Sequence, residues 1–273
     1  MSAVVVTGPF DDLRSRHVRF LQEASKLGQV HLLLWSDEMV ASVQGKPARF
    51  SEAERLYLLQ ALRYVDKVTL TQGIIEPDGI PFLDKTPPTA WAVDQQSDNW
   101  NKRAFAAAHG LAYHVIQDDD LTGFPLPRTA GSPEQPRRKK VVVTGCYDWL
   151  HSGHVRFFED VSQLGDVYVG VGSDYNVGLL KGPGHPLFSQ DERRYMVQAV
   201  RYVKQVFINS GTGWMDAEPD IAVIKPDLYA VNEDGDKPEK RAFCAERGIG
   251  YVVLKRLPKE GLPRRKSTDL RGF

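Results

Sequence analysis

The chain is written twice. Val4-Val5-Val6-Thr7-Gly8 returns as Val141-Val142-Val143-Thr144-Gly145, and Asp11, His17, Val18, Arg19, Phe20, Leu27 and Gly28 return as Asp148, His154, Val155, Arg156, Phe157, Leu164 and Gly165, all at an offset of 137 residues. Further on, the offset is 138. It pairs Phe50-Ser51 with Phe188-Ser189, Glu54-Arg55 with Glu192-Arg193, and Lys102-Arg103-Ala104-Phe105 with Lys240-Arg241-Ala242-Phe243. A tandem duplication with one inserted residue means that whatever one half builds, the other builds too. Residues 1–124 are expected to form the first domain and 139–273 the second. The stretch 125–138 is rich in Pro, Gly, Ser and Arg without apolar periodicity, and reads as the linker.

Within the second copy, Val141-Val142-Val143 is a buried strand leading through a glycine turn into a helix on which Val155, Phe158, Val161 and Leu164 recur at helical spacing, with Gly165 as the expected cap. Val167 to Val171 follows as a strand. Ser189 and Glu192, three apart, form a capping box ahead of a helix whose face is marked by Met196, Val197, Val200 and Val203. Val206 to Ile208 is the next strand, with a short helix near Ile221. Leu228–Val231, Pro238–Arg247 and Tyr251–Leu254 then read as strand, helix and strand. The alternating order implies an α/β fold, a parallel sheet with helices on both faces, whose ligands lie beyond the carboxyl ends of the strands.

Composition narrows the function by exclusion. With 42% apolar and 26% charged residues the chain reads as globular, and 35 basic against 35 acidic residues leave no global field for nucleic acid or an anionic membrane. Two cysteines, Cys146 and Cys244, give neither a disulfide framework nor metal-ligand spacing. No apolar signal segment or membrane span is expected, and the expected location is the cytoplasm.

The chemistry gathers at Gly145-Cys146-Tyr147-Asp148-Trp149-Leu150-His151-Ser152-Gly153-His154. A strand-to-helix junction leaves the first helical N–H groups unpaired at the positive end of the helix dipole, which suits an anion. Gly153 allows close backbone approach, and His151 and His154 lie within one turn.

This string resembles the Gly-x-(Phe/Tyr)-Asp-x-x-His-x-Gly-His pattern of the cytidylyltransferase branch of the nucleotidyltransferase superfamily. The tandem layout is most similar to the duplicated ethanolamine-phosphate cytidylyltransferases. The resemblance implies two tandem Rossmann-like nucleotidyltransferase domains and transfer of CMP from CTP to a small phosphorylated acceptor with release of pyrophosphate. Adenylyl-transferring cousins share the histidine box. A non-catalytic nucleotide-binding regulatory protein is the competing class. The implied catalytic residues are His151, His154, Lys181 and Arg193, with Lys181 on a loop at the α-phosphate and Arg193 near the triphosphate. Gly145, Cys146, Tyr147, Gly153, Asn232, Asp234, Ser267 and Thr268 are the implied nucleotide contacts. Ser267-Thr268 opens the last helix, with Arg264 or Arg265 substituting for the arginine that precedes that box in relatives. Thr144 and Asp148 are the implied acceptor contacts. Thr144 stands where the aminoalcohol enzymes carry an aspartate, so phosphoalcohols, phosphosugars and phosphonates all remain open. Mg²⁺ is implied as a cofactor, held mainly by the nucleotide phosphates rather than by a protein metal site.

The first copy departs from this pattern. Arg14 replaces His151, Arg16 replaces Gly153, Pro9 replaces Cys146 and Gln44 replaces Lys181, while His17 and Arg55 survive. It is therefore expected to be non-catalytic, and to pack on the second copy as an internal pseudo-dimer.

Overall fold

The structure, a computed structural model, describes residues 3–81, 88–126 and 138–270, without the side chain of Thr268. The chain forms two compact units, Met1–Phe124 and Pro125–Phe273. Most of the stretch read as linker, 127–137, lies outside the described residues.

Unit 1 runs β1 (Ala3–Gly8), α1 (Ser15–Ser25), β2 (Gln29–Leu34), α2 (Asp37–Gln44), α3 (Glu52–Gln60), β3 (Lys67–Leu70), β4 (Ala90–Asp94), α4 (Trp100–Ala108) and β5 (Ala112–Ile116). Unit 2 runs β6 (Lys140–Gly145), α5 (Ser152–Ser162), β7 (Asp166–Val171), α6 (Asp174–Lys181), α7 (Gln190–Gln198), β8 (Val203–Ile208), α8 (Glu218–Ile224), β9 (Leu228–Asn232), α9 (Pro238–Glu246), β10 (Gly250–Leu254) and α10 (Ser267–Leu270). Each sheet is parallel, ordered β3-β2-β1-β4-β5 in one and β10-β9-β6-β7-β8 in the other. Two tandem Rossmann-like α/β domains result, as the repeat requires. The direction of strand addition reverses at β1/β4 and at β6/β9, which opens a crevice at those carboxyl ends.

The core follows from the strand sequences. Val141, Val142 and Val143 are all fully buried. Val142 packs with Ile221 of α8 and with Phe243 and Cys244 of α9, while its neighbours point to the opposite face, so both faces are covered. Serines set the helix starts: Ser173 accepts from the Asn176 N–H and Ser189 from the Glu192 N–H. Among the described residues, no helix is long and apolar enough to cross a membrane.

Three local expectations need correction. Lys181 is the last residue of α6, not part of a loop, because Ser173 starts a helix there and Gly182, at φ 84°, ends it. Val203 begins β8, because α7 stops at Gln198. Gly165 is not the cap of α5, whose C-cap is the right-handed Gln163. Its glycine has another cause: a Cβ there would stand 2.1 Å from the Lys139 carbonyl oxygen, in the backbone just before β6.

Candidate active site

The turn after β6 is shaped by a tyrosine. Tyr147 takes φ 53°, a left-handed conformation uncommon for an aromatic residue, and its ring folds back so closely that a Cβ on Gly145 would stand 2.8 Å from it. The ring meets His154 edge-on, with centroids 5.2 Å apart. Unit 1 repeats the device with Phe10 at φ 42° and 6.0 Å from His17. Gly145 and Tyr147 thus have an architectural duty as well as a place in the cavity wall.

The histidines are stacked, with ring centroids 3.9 Å apart and planes 20° from parallel. His151 caps α5: its Nδ1 accepts from the Gly153 N–H at 3.1 Å. In the neutral ring the proton therefore sits on Nε2, and that nitrogen is buried with no hydrogen-bond partner among the described residues. Nδ1 of His154 is likewise buried and unmatched. Gly153 lets this arrangement form, because a Cβ there would press on the His151 ring at 3.0 Å. Burial, followed by the positive charges of Arg256 and Lys181, pushes His154 down to about 3. Burial, then His154 and two arginines, Arg256 and Arg265, lower His151 too. Both rings are neutral at pH 7. Unmatched buried nitrogens are rare in folded proteins, and here they flank the N-terminus of an 11-residue helix, a setting made for an anion.

A pH prediction follows. Below the ordinary histidine value near 6.5, the unfolded chain takes up a proton that folded His154 refuses, so stability is lost as pH falls from about 6.5 toward about 3. Urea unfolding across that range is expected to show a steeper decline for the wild type than for His154→Gln. Parallel declines would remove His154 from the explanation.

Around the histidines lies a cavity of about 220 Å³. It brings together Thr144, Gly145, Cys146, Tyr147, Asp148, Gly153, His154, Lys181, Asn232, Asp234 and Ser267. His151 stands behind, stacked on His154. Ser267 begins α10, with its hydroxyl 3.5 Å from the Trp149 carbonyl, whereas the Thr268 side chain lies outside the described residues. Burial raises the Cys146 thiol against the opposing charge of Lys181.

Arg256 escaped the sequence reading. It lies two residues past the end of β10, lines the cavity, pairs with Asp234 and donates to the Arg265 carbonyl at 3.1 Å. Its field is the one both histidines feel. A basic residue just past the carboxyl end of a strand was the available signal, but the arginine of the last box was sought at Arg264 or Arg265 instead.

Three expected ligands have other duties. Arg193 does not face the cavity: it is almost fully buried, and its guanidinium donates to the carbonyls of Phe188 (2.9 Å), Cys146 (2.6 Å) and Gly172 (2.8 Å) and to Asp174 (2.7 Å). Arg55 makes the same set in unit 1, to Phe50, Pro9, Trp35 and Asp37. Asp148 accepts from the N–H groups of Leu187 (2.6 Å) and Phe188 (3.0 Å), as Asp11 does from Arg49 and Phe50. The Thr144 hydroxyl is paired with the Tyr229 hydroxyl at 2.7 Å. Arg193 fixes loops rather than facing a ligand, while Asp148 and Thr144 line the cavity with their side chains already partnered within the protein. Asp234, expected beside the nucleotide, is partnered by Arg256.

The comparisons bear on the family. Residues 142–267 match the family described as cytidylyltransferase-like. The bifunctional protein HldE of Syntrophotalea carbinolica is 42% identical over 127 residues, 45% of this chain and 25% of that protein. HldE of Vibrio cholerae is 36% identical over 143 residues, 50% of this chain and 28% of that protein. The chain thus spans about a quarter of the length of these relatives. It covers far more of the FAD synthase of Ferroglobus placidus, 78% of that protein at 35% identity over 125 residues, or 45% of this chain. The turn, the stacked histidine pair and these matches together place the chain in the cytidylyltransferase-like family of nucleotidyltransferases.

Proposed function

We propose that unit 2 transfers a nucleotidyl group from a nucleoside triphosphate to the phosphate or phosphonate of a small acceptor. The observation that carries this reading is the pair of neutral, stacked histidines with unmatched nitrogens at a helix N-terminus, beside a cavity walled by Lys181 and Arg256. An acceptor oxygen attacks the α-phosphorus, a new P–O bond forms, the α–β bridge breaks and pyrophosphate leaves. A phosphate monoester, with its second pKa near ~6, is already mostly dianionic and needs no base. The residues therefore work by position and charge: Nε2–H of His151 donates to a phosphate oxygen, His154, held by the Trp149 backbone, keeps that ring in place by stacking, and Lys181 and Arg256 meet the charge that builds toward the leaving group.

ATP is the donor we favour, because a FAD synthase makes a dinucleotide with an adenylyl half and that relative is matched along most of its length. CTP is the second reading, from the family's description. The test is pyrophosphate release from each of the four nucleoside triphosphates against a panel of phosphorylated alcohols, sugars and phosphonates. Release with ATP is expected, while release with CTP alone would reverse the order. Silence with every pair from folded protein would overturn the enzyme reading in favour of a non-catalytic nucleotide-binding protein.

Mg²⁺ fits this site as part of the nucleotide complex, because the cavity carboxylates are engaged, Asp148 by two backbone N–H groups and Asp234 by Arg256. When bound it neutralises triphosphate charge. Chelation with EDTA is expected to stop turnover without shifting the Tm of the nucleotide-free chain. A fall in that Tm would mean a cation seated by the protein itself.

Unit 1 we read as non-catalytic. Its histidine is differently held: Nδ1 of His17 accepts from the Arg14 N–H at 3.0 Å, whereas Nδ1 of His154 has no partner. Turnover that falls as far with His17→Ala as with His154→Ala would reject that assignment.

A further inference from the structure

Unit 1 holds a cavity of about 670 Å³, against about 220 Å³ in unit 2. It occupies the corresponding place, at the carboxyl ends of β1 and β4 where strand order reverses, with Gly8, Phe10 and His17 where unit 2 has Gly145, Tyr147 and His154. Its greater width has a visible cause. Arg256 and Ser267 close over the cavity of unit 2, whereas among the described residues nothing after Lys102 lines the cavity of unit 1. The volume lies in the ordinary range of small-molecule sites.

Three cations of this wall are paired, whereas Lys46, exposed at its edge, has no partner among the described residues. Arg16, in the place of the close-approach glycine, is paired with Asp118 and lies 3.8 Å from Asp94. Arg49 pairs with Asp12 at 2.9 Å. Lys102 donates to the Ser97 carbonyl at 2.6 Å and lies 3.8 Å from Asp78. Gln44 stands where unit 2 has Lys181. A triphosphate would have to break these pairs and meet the carboxylates of Asp12 and Asp94. What the cavity offers instead is aromatic surface from Phe10, Phe20 and Trp35, and amide and hydroxyl groups from Gln44, Gln96 and Ser97. Flat rings rest on aromatic faces whatever their substituents, and neutral amides and hydroxyls match ring nitrogens and sugar hydroxyls.

We infer that the cavity of unit 1 is a second binding site, one that takes a nucleoside without its triphosphate. The inference rests on the reading of unit 2 as a nucleotide site, since that reading assigns the corresponding place in unit 1 to the same ligand family. Loss of Lys181 and of the closing segment turns a site for reacting phosphates into one for base and sugar alone.

The test uses the full-length, ¹⁵N-labelled chain titrated with adenosine, cytidine and ATP. The amide signals of Gly8, Gly45 and Ser97 are followed beside those of Gly145, Gly182 and Gly235. At least one of the two nucleosides is expected to shift the first set, and ATP the second. Ser97→Trp and Gln44→Trp, each placing bulk at the rim of the unit 1 cavity, are expected to weaken nucleoside binding at least about tenfold. Pyrophosphate release by unit 2 should be unchanged in both variants. The inference is overturned if neither nucleoside moves the first set, if both variants bind as the wild type does, or if ATP moves the first set at concentrations as low as a nucleoside requires. Nucleoside shifts at Gly8 together with silence in every pyrophosphate assay would sink the enzyme reading alone. Pyrophosphate release with an unmoved first set would sink this inference alone.

Discussion

Arg193→Ala is expected to destabilise unit 2 by at least about 3 kcal/mol, because three carbonyls lose the donors that hold them and each buried polar group left unmatched costs about 1–3 kcal/mol. Hydrogen exchange or urea unfolding reads the effect directly. Arg193→Lys should recover little, since one ammonium cannot reach the Phe188, Cys146 and Gly172 carbonyls and Asp174 together. The same substitution at Arg55 should weaken unit 1 to a similar extent. If Arg193→Ala instead unfolds like the wild type but turns over no substrate, the guanidinium is a phosphate ligand and not the anchor of these loops.

Lys181→Ala and His151→Ala should each slow turnover by roughly tenfold to a thousandfold, the range for removing one preorganised donor from developing charge. The two differ in stability. Lys181 is exposed at the end of α6, so its loss should leave the unfolding curve in place. His151 caps α5, so its loss should also cost unit 2 about 0.5–2 kcal/mol. A turnover loss below threefold in Lys181→Ala, with the fold intact, would remove that lysine from the mechanism.

The fold was legible because its evidence is redundant. Valine runs at a fixed offset, each followed by a glycine turn and a helical pattern, announce parallel α/β units twice over. The cavity was legible where residue type and register agree, as at His154, Lys181 and Asn232. Misreadings came where one residue type serves two chemistries. A guanidinium suits a phosphate and a cluster of carbonyls equally well, and a carboxylate binds an acceptor or two backbone N–H groups with the same lone pairs. Sequence matching cannot tell these apart, but the duplication could have. Arg55 and Asp11 outlast the loss of lysine and of one histidine in the first copy, which marks Arg193 and Asp148 as architecture. Arg256 and the Thr144–Tyr229 pair were hidden for another reason: each depends on which strands lie side by side, and β6 meets β9 across more than eighty residues of chain.

The arginine hub ties the turn after β6, the end of β7 and the loop before α7 to one rigid side chain. None of the three segments can drift without straining the other two, so a lineage that keeps the hub inherits a fixed set of loop positions. New substrates then have to be reached by exchanging the side chains those loops display, or by adding and removing the segment that closes over them. The two halves of this chain record both routes on one frame, and an engineer seeking another acceptor would do better to trade residues between them than to redesign a loop.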